Sequence, residues 1–192
     1  GFILKTIADI LRRVSSKPIL NLEFEEGEDC ISWTPTGAPV RTPEGVQIQY
    51  FGEACYIRIK VTNKRRTIAR DCRAYLINVE EIENGEPKRT LYCDSIQLAW
   101  SCAGKDNKYV ALDLAKDVNQ FIDLLATFKE KNFFNVFLFS TPFRYRDLFN
   151  KIHYTYLFTV QTVATDAKPV VIKILFTWHG IWNKFEVKKY DK

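Results

Sequence analysis

The sequence predicts an antiparallel β-sandwich preceded by one amphipathic helix, and three observations carry that expectation. Apolar residues recur at every second position over most of the chain. In "ILNLEFEE", Leu20, Leu22 and Phe24 alternate with Asn21, Glu23 and Glu25, the period of a strand with one dry face. Turn signals separate such stretches at intervals of about ten residues, Asn84-Gly85 being the plainest. Aromatic residues make up 14% of the 192 residues, with 14 Phe and 9 Tyr, a usage that suits large rings packing across strands.

The elements follow in order. Residues 2–14, "FILKTIADILRRV", place Ile3, Ile7, Ile10 and Val14 on one stripe with Leu4 and Leu11 beside it, an amphipathic helix pattern. Pro18 disfavours helical geometry at Lys17 and ends it. The expected organisation is therefore a helix within 1–17 and a sandwich over 18–192. The helix carries Lys5, Arg12 and Arg13, with Lys17 just after. It suits docking on the sandwich or lying against an anionic membrane surface, where each base contributes about 1 kcal/mol.

After Leu20–Glu25, "PTGAPVRTPEG" (35–45) reads as a loop by its Pro and Gly content. "VQIQY" then gives a strand whose dry face is Val46, Ile48 and Tyr50. Further strands are expected over 54–62, 67–82 and 90–100, with short ones at 109–114 and 120–126. "FFNVFLF" (133–139) is apolar on both parities, which predicts a central or covered strand. Residues 143–153 read as a short helix or irregular link. The strands at 156–164 and 169–178 pair through Thr165 to Lys168, and 183–190 follows.

Composition excludes several classes. Apolar content of 46% and charged content of 27% are ordinary for a globular chain. No run of 18 apolar residues occurs, nor a cleavable signal pattern. The five cysteines contain no C-x-x-C, and strand parity places Cys55 and Cys72 among buried apolar residues. A reducing, cytoplasmic setting is the expectation. The chain starts at Gly1 and contains no methionine.

Catalytic chemistry finds little to work with. The two histidines, His153 and His179, lie among aromatic residues, a setting that favours a structural role. Cys102 escapes strand parity and has Lys105 nearby, so it is the one candidate nucleophile; Ser101 lacks a G-x-S-x-G elbow. Asp106, Asn107 and Asp113 match no calcium loop, and no zinc motif or phosphate-cradling glycine loop is present. Glu25/Glu26 and Glu80/Glu81 are strand neighbours and point to opposite faces. The expectation is a non-enzymatic chain without metal or cofactor.

The net charge of +5 is mild, but its distribution is uneven. Residues 56–80 carry seven bases in an apparent hairpin, with Lys64, Arg65 and Arg66 at its tip. Parity puts Tyr56, Arg58 and Lys60 on the outer face of one strand and Arg73 and Tyr75 on that of the next. Such an aromatic-interleaved basic face is what single-stranded nucleic-acid binders use, and also how strand edges stay soluble. "TWHGIWNKF" offers a second candidate surface, Trp178, His179 and Trp182, provided that both tryptophans are exposed.

"IRIKVTNKRRTIARDCRAYL" resembles a pattern of immunoglobulin-like β-sandwich modules of prokaryotic proteins. In these an apolar strand ends in V-x-N, and a small residue opens the return strand after a short turn. The matching residues are Val61, Asn63, Ala69 and Ala74; Arg65-Arg66 stand where the family often has Gly. "ALDLAKDVNQFIDLL" looks like the strand–turn–strand that often follows. The resemblance spans about 70 residues and implies an immunoglobulin-like sandwich. The functional expectation is a recognition or scaffolding module, membrane-proximal through its helix, with a protein partner first and nucleic acid as the alternative.

Overall fold

The computed structural model describes residues 17–27, 29–43, 45–101, 107–129, 131, 133–139 and 152–191. The expected helix at 2–14, Cys102, Asp106 and most of 143–153 lie outside the described residues. Within them the chain is mainly β, with two antiparallel sheets. No helix of the described residues is long and apolar enough to cross a membrane.

The first sheet runs β1 (Leu20–Glu23), β3 (Gly45–Asn63), β9 (Gln120–Phe128) and β10 (Phe134–Val136). β2 (Ile31–Thr42) pairs with β3, and β7 (Ala99–Trp100) pairs with β9. The second sheet runs β13 (Lys184–Lys189), β12 (Val170–Ile181), β11 (Tyr154–Val163), β4 (Ala69–Glu83) and β5 (Glu86–Tyr92). β6 (Ile96–Gln97) and β8 (Leu112–Leu114) attach to β4.

One apolar core lies between the sheets. On β3, Cys55, Ile57, Ile59 and Val61 are fully buried, as their alternation dictates. β4 buries Cys72, Ala74 and Leu76, then changes parity to Val79. The cause is a bulge: Asn78 faces Thr159 while Leu76 faces Val160, which leaves Ile77 as an extra residue. The same shift turns Glu81 inward, where Lys88 at 3.9 Å and Arg89 at 3.7 Å supply opposite charge. Phe134, Tyr156, Phe158, Phe176 and Trp178 pack as an aromatic block, with centroids of Phe134 and Phe176 5.0 Å apart.

Several expectations need correction. Residues 35–42 are strand, not loop, because they pair along β3 from Pro35↔Glu53 to Thr42↔Gly45. The stretch 133–139 supplies only the short β10, which ends its sheet's path beside β9 rather than running through a centre. The expected strand at 90–100 is divided among β5, β6 and β7. Most consequential, β3 and β4 do not pair. They belong to different sheets, and residues 64–68 form a corner between layers.

Asn63 holds that corner. Fully buried, it donates from Nδ2 to the carbonyls of Thr67 (2.6 Å) and Leu114 (3.0 Å). Its Oδ1 accepts from the backbone N–H of Arg65 (3.0 Å) and of Ile19 (3.3 Å). One side chain thus ties the corner to the start of β1 and the end of β8.

Candidate functional site

The corner splits the basic platform that the sequence suggests. Tyr56, Arg58 and Lys60 lie on the outer face of the first sheet, while Arg73 and Tyr75 lie on the outer face of the second. Both sheets and the core between them separate the two groups, so no single ligand strand touches both. Most of the charge on β3 is also matched locally. Arg58 Nε lies 3.0 Å from Asp123 Oδ1, and its guanidinium sits 5.1 Å from the centre of the Tyr56 ring. Tyr56 stacks on Phe137 at 5.6 Å; burial, then the Asp123 charge, push its hydroxyl pKa up, against the pull of Arg58. Glu23 faces Lys60 at 3.8 Å and Lys64 at 3.4 Å. Arg65 and Arg66 remain exposed at the corner.

The second candidate surface also changes. Trp178 is 0% exposed and packs on Phe134 and Phe176. It shares the parity of Ile172, Ile174 and Phe176, so it belongs to the core rather than to a patch. His179 is partly exposed, 3.4 Å from Glu186 Oε1, with the His153 ring 5.9 Å away. Gly180 permits the bend after it: its φ is +81°, and a Cβ there would meet Ile152 Cγ2 at 2.8 Å.

Trp182 is half-buried, and its neighbour is a residue that the motif did not include. Trp33 stands edge-on to it at 5.1 Å and stacks near Phe185 at 6.3 Å, itself 52% exposed. Lys129 Nζ lies 5.8 Å from the Trp182 ring and 2.8 Å from Glu53 Oε2.

From Trp33 a two-stranded arm projects. β3 pairs with β9 only from Ala54 onward, so residues 45–53 have β2 as their sole sheet neighbour among the described residues. Directly opposed residues share a face. Along the core-side face the register reads Cys55 with Trp33, Glu53 with Pro35, Tyr50 with Gly37, Ile48 with Pro39 and Val46 with Arg41. The change from odd to even positions on β3 comes from a bulge that lets Phe51 slip between Tyr50↔Gly37 and Gly52↔Thr36. The face that buries Cys55 thus continues outward into Tyr50, Ile48 and Val46. Those three are 68%, 54% and 67% exposed. The alternation in "VQIQY" announces a dry face, and in this chain that face is wet.

Cysteine chemistry is unfavourable at the buried positions. Burial pushes the thiols of Cys55 and Cys72 up to about 12, with nearby Asp166 and Asp113 adding to the rise at Cys72. Burial also raises Cys30. Cys93 is exposed. At neutral pH a maleimide is expected to modify Cys93 within minutes, leaving Cys30, Cys55 and Cys72 unlabelled until denaturant is added. Peptide mapping reads this directly; fast labelling of Cys55 or Cys72 in the folded chain would contradict their burial. Among the described residues no group of three His, Cys, Asp or Glu side chains is placed to hold a metal. No protein-family model matches the chain, and neither a curated protein nor a solved structure matches it.

Proposed function

We propose that this chain is an immunoglobulin-like sandwich acting as a non-enzymatic protein-recognition or scaffolding module, with the β2–β3 arm as its docking face. The supporting observation is the contiguous exposure of Val46, Ile48 and Tyr50 on a strand patterned for burial, continuing into Trp33. Exposed apolar residues scattered singly need no explanation, but a contiguous row with an aromatic base marks an interaction face. The two-layer antiparallel architecture and the V-x-N corner at Asn63 support the immunoglobulin-like reading. Nucleic-acid binding is the weaker alternative, because its aromatic and basic residues are divided between two outer faces. The membrane-proximal expectation rests on residues 2–14 and adds nothing to this face.

A photo-reactive phenylalanine analogue placed at Tyr50, and separately at Arg66, tests the reading in living cells. Covalent adducts with protein are expected at Tyr50 and not at Arg66. The companion measurement is titration with a fluorescent single-stranded oligonucleotide at about 50 and 200 mM salt. No saturable binding is expected. Tight binding at the lower salt that weakens a hundredfold or more at the higher would replace protein recognition with the nucleic-acid alternative.

A further inference from the structure

The exposed face of the arm is complementary to itself. Resting on the reading of the arm as the docking face, we propose that its occupant is a second copy of this chain, packed face to face with the tip of each arm over the base of the other. From tip to base the face presents Val46 with Arg41, Ile48 with Pro39, Tyr50 with Gly37 and Glu53 with Pro35. A two-fold axis lying across the strands, midway between the second and third of these levels, superimposes first on fourth and second on third. Ile48 of each copy then covers Tyr50 of the other. Arg41 of each copy reaches Glu53 of the other.

The charges are available for that exchange. Arg41 is exposed and has no interaction partner among the described residues. Glu53 Oε2 accepts a hydrogen bond from Lys129 Nζ, which leaves Oε1 to receive an arginine. Gly37 makes the bed flat. A Cβ there would stand 2.8 Å from Ile48 Cγ2 and 3.3 Å from Tyr50 Cδ1, so both side chains lean over the glycine. The edge of β2 that has no strand beside it among the described residues, by contrast, is poorly suited to adding one. Pro35 and Pro39 offer no N–H, and proline is tolerated in a paired strand only where the missing donor points away from its neighbour. That removes two donors from the outward side of β2 and directs association to the face.

The ribbon from Pro35 to Arg41 is about 20 Å long at ~3.3 Å per residue. Faces this short belong to the small, transient class; area does not fix affinity, and a weak, reversible association with a Kd on the order of 100 µM is the expected outcome.

Sedimentation velocity of the whole chain from about 10 µM to about 1 mM, bracketing that value, tests the proposal. The weight-average mass is expected to rise from 22.4 kDa towards twice that figure. Ile48→Lys combined with Tyr50→Lys, both at exposed positions, is expected to stay monomeric with unchanged thermal unfolding. Arg41→Glu or Glu53→Arg alone is expected to weaken dimerisation at least tenfold, and the two together to restore it. A chain monomeric up to the highest concentration overturns the proposal, as does a dimer that survives the double lysine variant. If the monomeric chain still gives adducts through position 50, protein recognition stands and only the second copy is lost. If it gives none, both readings fall.

Discussion

Phe176→Ala is expected to lower the unfolding free energy by about 4 kcal/mol, the middle of the range for truncating a core aromatic residue. Phe176 is fully buried, with ring centroids of Phe134, Phe158, Trp178 and Phe185 at 5.0, 6.4, 6.2 and 5.7 Å. These neighbours come from both sheets, so no single element can move inward to fill the void. A domain of this size loses roughly 3 °C in Tm per kcal/mol, giving a fall of about 12 °C. Calorimetry measures it. A fall of under about 4 °C would mean that the aromatic block repacks freely, against the interlocked arrangement seen here.

Asn63 provides the second large effect, through polar rather than apolar loss. Asn63→Ala leaves the N–H groups of Arg65 and Ile19 and the carbonyls of Thr67 and Leu114 without their partner. Some regain water at the corner, so the expected loss is about 3 kcal/mol. Asn63→Asp is more informative because its sign depends on pH. An aspartate keeps the acceptor but turns an oxygen towards two carbonyls, which favours its protonated form and raises its folded pKa above the unfolded value of about 3.9. The folded state then binds more protons than the unfolded state, so stability falls as pH rises between those two pKa values. The variant is expected to lose more relative to wild type at pH 7 than at pH 4, read by urea denaturation at both. An equal loss at both pH values would show that the new carboxyl escapes to solvent.

Much of this was legible in the sequence, and the failures have physical causes. Alternation in β3 places Cys55, Ile57, Ile59 and Val61 inside without any tertiary information. The parity change after Leu76 was not legible, since it arises from a bulge opposite β11, a strand about eighty residues later. The assignment of β3 and β4 to different sheets was hidden for a similar reason. A connection over 64–68 can close a hairpin or turn a corner, and only the other strands' pairing decides between them. Proline and glycine in 35–45 signalled a loop, because composition does not register that an edge strand tolerates proline with its nitrogen facing outward. Trp178 is different. Its parity with Ile172, Ile174 and Phe176 already put it in the core, and reading "WHGIW" as one patch overrode that signal. Trp33, which packs edge-on against Trp182, had no sequence neighbour to announce it.

The order of strands in the second sheet bears on how the chain is born. β4 lies between β5 and β11, and β11 leads on to β12 and β13. During synthesis from the N-terminus, Leu76 and Val79 leave the ribosome long before Val160 and Phe158, the residues that face them. At about 5–20 residues per second, the delay is on the order of 10 s. Over that interval the edge of β4 that receives β11 has no strand to pair with, although the facing strands β1, β3, β9 and β10 are made before β11. A nascent chain of this topology therefore carries an unpaired strand edge for longer than its modest length suggests, and non-local pairing of this kind is slow and open to wrong association.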